Sequence, residues 1–210
     1  SAFFHGFRSG KSTITALLEL DGFACSRRHR KKALLAIDFQ GAFDSAPHQR
    51  ILRQLERWNV PDQMVRILAS YLDNRSVTYQ GHTYWMSAIG CPQGSVLAPA
   101  LWNVLVNSLV EELNKHHLAV AYADDLTVCV DGGDSGELER SLGAAIRMVR
   151  RWSLSNGLTI SESKTVILPV HTDWAEDIEG IRCVPATKVL GVILDSKWRF
   201  KDHVTNQIEK

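Results

Sequence analysis

Residues 118–130 read LAVAYADDLTVCV. Two apolar runs, 118–122 and 126–130, flank Ala123-Asp124-Asp125, so the stretch predicts a strand, an acidic turn and a second strand. Upstream, residues 33–39 read ALLAIDF, a short apolar run ending in an acid. That is the pattern of a buried strand that delivers a carboxylate, Asp38, at its tip. If these strands neighbour each other in one sheet, three carboxylates meet in space whatever their sequence order. Taken singly, each acid has a plainer account: an Asp-Asp pair favours a tight turn, and Asp38 can cap the helix that follows.

The elements around these strands alternate. Residues 12–23 carry Ile14, Leu17, Leu18 and Phe23 at helical spacing behind a Ser-Thr start, which predicts a short amphipathic helix with those residues as its apolar face. Helices are expected at about 47–58 and 61–72, each opened by a proline, Pro47 and Pro61. Residues 77–79 and 84–87 flank Gly81 as a hairpin. The loop 90–94 then leads to a helix capped by Ser95 and running to about Asn114. A long helix over 136–155 ends at Gly157, a left-handed cap, and strands near 164–169 and 188–194 complete the order.

Composition bounds the reading. A chain of 210 residues with 45% hydrophobic side chains can bury one substantial core, and no linker or repeat divides it. The net charge of +1 does not by itself announce a nucleic-acid binder, so local patches must carry that case. The longest basic run is Arg27, Arg28, His29, Arg30, Lys31 and Lys32, and phosphate contact is expected of it. Cys25, Cys91, Cys129 and Cys183 lack the spacing of a zinc site or a disulfide framework and read as reduced intracellular thiols. The most apolar stretch, 96–106, is broken by Pro99 and Asn103 and is too short to span a membrane. Gly10-Lys11-Ser12 lacks the earlier glycine and the preceding strand of a P-loop, which excludes that class of nucleotide site. The six tryptophans show no informative spacing and are read as packing residues. The abrupt start at Ser1 and the polar stretch before Lys210 read as an excerpt of a longer polypeptide.

Three segments in order carry a resemblance. Ala36-Ile37-Asp38-Phe39-Gln40-Gly41-Ala42-Phe43-Asp44, Gly90-Cys91-Pro92-Gln93-Gly94-Ser95-Val96-Leu97 and Ala121-Tyr122-Ala123-Asp124-Asp125 resemble successive palm motifs of reverse transcriptases. Gly6-Phe7-Arg8-Ser9-Gly10-Lys11-Ser12-Thr13 is similar to a fingers motif of non-LTR enzymes. Residues 157–165 (GLTISESKT) resemble the later palm loop, and Lys188-Val189-Leu190-Gly191-Val192 the primer-grip strand. The alanine of Tyr-Ala-Asp-Asp and the phrase Ala42-Phe43-Asp44 point to the LINE-type (non-LTR) branch. One departure is Ala98, where relatives often have glycine.

The resemblance implies an α+β polymerase palm, an antiparallel sheet with helices packed on one face, with partial fingers. Its expected parts are partial fingers over 1–32 and palm over 33–185 with a fingers-side hairpin near 75–90. Residues 186–210 then hold the primer-grip strand and the start of a connection to a thumb outside the chain. It implies an RNA-directed DNA polymerase that extends a DNA primer on an RNA template with dNTP substrates and two Mg²⁺ ions (Mn²⁺ as a substitute) at Asp38, Asp124 and Asp125. Such a pair about 3.5–4 Å apart serves in-line displacement at phosphorus. Phe43 is expected to exclude a 2′ hydroxyl, with Phe39, Gln93 and Gly94 at the nucleotide. Arg8 and Lys11 are expected on phosphates, Leu190 and Gly191 on the primer, and Lys164 either donating a proton to pyrophosphate or countering its charge. Other polyprotein domains, such as an endonuclease, are expected outside the chain, and the setting is intracellular, nucleus and cytoplasm if eukaryotic. Two alternatives stay open at this point: a group II intron type reverse transcriptase, and a decayed nucleic-acid-binding scaffold.

Overall fold

Lys31–Ile37 forms β1, and its burial on both faces accounts for the unbroken apolar run. The computed structural model describes residues 3–26, 30–73, 75–85, 89–92 and 94–209. Arg27, Arg28, His29, Ser87 and Gln93 lie outside the described residues. β1 pairs antiparallel with β5 (Asp125–Gly132) on one side and with β6 (Val166–Val170) on the other. β5 folds back on β4 (Leu118–Tyr122), and β6 takes a short parallel partner, β7 (Arg182–Cys183). The sheet order is therefore β4-β5-β1-β6-β7, which sets two strands with acidic tips side by side.

Alternation along the strands assigns each sheet face a cover. Leu35, Ile37, Val128 and Val130 share one core with α2 (His48–Arg57), α4 (Ala98–Leu113) and α5 (Ser135–Asn156), while α3 (Asp62–Leu72) packs its partly buried Val65 and Leu68 against it. Leu34, Cys129, Leu168 and Val170 look the other way, onto α1 (Thr13–Cys25) and a hairpin of β8 (Ala186–Val189) and β9 (Val192–Asp195). The α+β palm expected from the sequence is borne out, with the addition that α1 covers part of the second face. A separate hairpin, β2 (Ser76–Tyr79) with β3 (His82–Trp85), stands outside the large sheet, and α6 (Lys201–Ile208) follows β9.

Several expectations shift. The buried face of α1 is Ala16, Leu20 and Ala24, whereas Ile14 and Leu18 are exposed. Ala16 and Ala24, on either side of Leu20, let the helix lie close on the sheet, and that gain outweighs the more apolar neighbouring stripe. Ser12 does cap α1, reciprocally with Thr15. Ser95 does not cap α4, which begins at Ala98 with Pro99 in its first turn; its hydroxyl instead meets Tyr71 Oη at 2.5 Å. The single strand expected over 188–194 is a hairpin, because Leu190 and Gly191 both take positive φ (48° and 86°), the backbone of a two-residue turn. In the described part of the basic run, two cations have partners within the chain. Arg30 pairs with Asp131 and Glu137, and Lys32 is buried, its ammonium donating to the carbonyls of Phe23, Ala24 and Ser26 at the end of α1. Gly157 closes α5 at φ 71°, as expected.

Candidate active site

The β4–β5 pairing ends at Tyr122 opposite Asp125, which leaves Ala123 and Asp124 as a two-residue turn. Ala123 has φ +55°, a left-handed backbone unusual for a residue with a side chain. Across the sheet, Ile37 lies opposite Leu126, so the same register carries Asp38 to Asp125. The charges of Asp124 and Asp38 both act on Asp125: partial burial first, then these two neighbours, raise its carboxyl above the ordinary Asp value.

A third segment closes the rim. Ser161 N–H donates to the Asp38 carbonyl at 2.8 Å, Thr165 Oγ1 accepts from Asp38 N–H at 3.2 Å, and Gln40 N–H donates to Thr159 O at 2.9 Å. These bonds lay residues 159–165 along the end of β1 and bring the Lys164 ammonium to 3.9 Å from Asp38 Oδ1. The ammonium is largely in water, so this is a loose pair.

Beside the acids lies an open cavity of about 540 Å³ lined by Phe7, Phe43, Gly94, Ser95, Val96, Ala98, Pro99 and Asp124. Phe43 is seated by the strap that follows β1: Cys91 N–H donates to Phe43 O at 2.7 Å, and Gly90 N–H to Ala46 O at 2.8 Å. His48 Nε2–H donates to Gly90 O at 2.8 Å from the start of α2. Gly94 takes φ +81° with open space where a side chain would begin, so its backbone faces the cavity unshielded.

The expected residues thus divide. Asp38, Asp124, Asp125 and Lys164 meet at one rim, and Phe43 and Gly94 line the cavity beside it. Phe39 does not reach the cavity with its side chain, which is 5% exposed and edge-on to Trp102 and Trp152 at 5.7 and 6.4 Å. Arg8 and Lys11 are exposed on the turn beyond Phe7 and are not among the lining residues; Phe7 is. Leu190 and Gly191 form the tip of the β8–β9 hairpin on the α1 side of the sheet. Gln93 lies outside the described residues. Two contributors escaped the sequence reading. Gly6 packs its backbone on the acidic turn, where an added Cβ would come to 2.5 Å from Ala123 N, and Trp102 donates its indole N–H to Ala123 O at 2.8 Å.

The donor set is all oxygen and carries surplus negative charge, which suits a hard divalent cation. As the side chains stand, no group of three or more His, Cys, Asp or Glu among the described residues is arranged to hold a metal ion. Partial burial first, and after it the like charges of Asp124 and Asp38 across the rim, keep the Asp125 carboxyl above its ordinary value.

Residues 1–194 match the family described as reverse transcriptase (RNA-dependent DNA polymerase). The chain belongs to this reverse transcriptase family. Its relatives include a Pol polyprotein of the type-1 retrotransposable element R1 of Nasonia vitripennis, 33% identical over 58% of this chain and 40% of that protein. The RNA-directed DNA polymerase of the mobile element jockey of Drosophila melanogaster is 28% identical over 96% of this chain and 24% of its own length. The LINE-type kinship read from the Tyr-Ala-Asp-Asp turn therefore holds, and the domain spans two fifths or less of these relatives. Among solved structures, telomerase of Candida albicans aligns with TM-score 0.63 at 15% identity, covering 91% of this chain and 33% of that one. Apo telomerase of Candida tropicalis gives 0.62 at 10% identity, over 93% and 40%. Both likenesses are of fold. No helix among the described residues is long and apolar enough to cross a membrane.

Proposed function

We propose that this reverse transcriptase domain adds deoxynucleotides to the 3′ end of a DNA primer on an RNA template, as part of a LINE-type retrotransposon polyprotein. The observation that carries the reading is the register that sets Asp38 against Asp124 and Asp125 at the mouth of a cavity walled by Phe43 and Gly94. Asp38, Asp124 and Asp125 would hold two Mg²⁺ ions, with Mn²⁺ able to substitute. Bound there, the ions supply charge neutralisation at the attacking and leaving oxygens of an in-line displacement.

The chain's own residues do the rest. The ring of Phe43 fills the space where a 2′ hydroxyl would sit, and the bare backbone at Gly94 gives the nucleotide and template a close floor, a role that its sequence neighbour Gln93 would share. Lys164 stands within reach of the reacting rim, where its ammonium counters pyrophosphate charge or donates the proton the leaving group takes. The Leu190-Gly191 tip would steady the primer. Arg8 and Lys11, free of the cavity wall, would meet phosphates of template or triphosphate. The thumb and an endonuclease would come from other parts of the polyprotein. Kinship with R1 and jockey proteins supports the retrotransposon reading over a group II intron enzyme.

The test is extension of oligo(dT) on poly(rA) with Mg²⁺ and dTTP by the protein carrying residues 1–210, beside an Asp124→Ala control. Extension lost in the control supports the polymerase and the role of the rim. A folded wild type that binds the primer–template and does not extend it would establish the scaffold reading instead.

A further inference from the structure

Trp102 lies on the second turn of α4, is 1% exposed, and touches residues that flank two of the rim acids, Asp38 and Asp124. Its Nε1–H donates to the carbonyl of Ala123, the residue before Asp124. Its ring meets Phe39, the residue after Asp38, edge-on at 5.7 Å and 74°. The same ring lies against Phe43 at 5.6 Å with a 39° tilt.

We propose that Trp102 is a positioning residue, which rests on the polymerase reading above: through one hydrogen bond and two ring contacts it holds the acidic turn, the tip of β1 and the sugar-excluding Phe43 in a single register. The turn needs such a hold. Ala123 sits at φ +55°, a conformation that costs an L-residue free energy and persists only where surroundings impose it. Trp102 takes the Ala123 carbonyl, and on the opposite side Gly6 backs Ala123 N closely enough to exclude any side chain. The next residue on α4, Asn103, donates to Gly6 O at 3.3 Å, so one helix turn secures both supports. A buried indole N–H needs a partner, and the strand ladders beside it are already paired. The turn carbonyl, left outside the β4–β5 ladder, meets that need.

An ordinary core tryptophan and a positioning one differ in what their loss changes. Trp102→Phe keeps an aromatic body and deletes the N–H. The same position carrying 3-benzothienylalanine, a tryptophan isostere with sulfur in place of N–H, keeps the shape as well and serves if the phenylalanine variant does not fold. Both are compared with wild type for kcat and KM on poly(rA)–oligo(dT), for dTTP against UTP selectivity, for Mn²⁺ binding by electron paramagnetic resonance, and for Tm. The expected result is a kcat lower by about 10- to 100-fold with KM for primer–template unchanged, since a shift of about 1 Å in a reacting constellation costs on that scale. Mn²⁺ affinity falls several-fold and selectivity against UTP weakens. A variant that loses Tm alone, with kcat, Mn²⁺ affinity and selectivity as in wild type, overturns the proposal and leaves Trp102 a packing residue. A wild type that binds no Mn²⁺ and extends no primer overturns the polymerase reading and this one together.

Discussion

Replacing Asp125 by asparagine should stabilise the metal-free protein while abolishing its activity. Asp38 stands opposite Asp125 by register and Asp124 precedes it in the turn, and both charges press on its carboxyl. Facing residues of an antiparallel pair have Cα atoms roughly 4.5–5.5 Å apart, so their carboxylate charges are on the order of 6 Å apart. At that distance two unit charges repel by about 0.7 kcal/mol in water and about 2.8 kcal/mol at an effective dielectric near 20. The rim is open to solvent and Lys164 offsets part of the charge on Asp38, which favours the lower end. Relief from both neighbours then amounts to about 1–2 kcal/mol at neutral pH and low salt, or a Tm gain of roughly 2–8 °C for a domain of this size. The sign against pH follows from the raised carboxyl. Above the ordinary Asp value of 3.8 the unfolded chain gives up this proton before the folded one does. Folded stability from this group is thus present below that value and is lost as pH rises through the raised one. Thermal unfolding of wild type and Asp125→Asn without divalent ions, from pH 3.5 upward, checks the idea: the variant should gain on wild type as pH rises, and added salt should shrink the gap. Wild type should also gain Tm from Mg²⁺ and the variant much less. A variant no more stable than wild type at neutral pH and low salt, with a parallel pH profile, would refute the electrostatic account of the rim.

Two further substitutions probe the walls of the site. Phe43→Val removes the ring that faces the cavity and should lower selectivity for dTTP over UTP by about 10- to 100-fold, the scale at which a shaped apolar pocket rejects a hydroxyl, with dTTP turnover much less affected; single-nucleotide incorporation kinetics measure the ratio. Gly6→Ala drives a Cβ into the backbone of Ala123 and should cost about 1–3 kcal/mol in urea unfolding, with primer extension falling alongside, whereas full stability and activity would mean the acidic turn tolerates displacement.

Much of the site was legible because its signals are local. A strand buried on both faces must be apolar throughout, so the acid at position 38 stood out as a residue leaving the core. The Ala123-Asp124-Asp125 interruption between two apolar runs likewise marked a turn. What was misread depended on neighbours far along the chain. Ile14 and Leu18 make the more apolar stripe of α1, yet the stripe of Ala16, Leu20 and Ala24 faces the sheet because its two alanines allow the closer approach. Phe39 and Phe43 lie in one short motif, and the seating of α4 and α5 takes the first into the core between Trp102 and Trp152 while the second reaches the cavity wall. Lys32 looked like part of a charged surface until the end of α1 was seen to surround it with carbonyls.

The sequence by itself determined the three strands that carry or face the acids (β1, β4 and β5), the acidic tips, the cap of α1 at Ser12 and the end of α5 at Gly157, since each depends on residues within a few positions of one another. The tertiary structure decided that Asp38 lies opposite Asp125, that residues 159–165 bring Lys164 to the same rim, and that Trp102 reaches the carbonyl of Ala123. Those facts are set by strand register and by the seating of a helix on a sheet, where many weak contacts between distant residues choose one arrangement among several that local preference leaves equal.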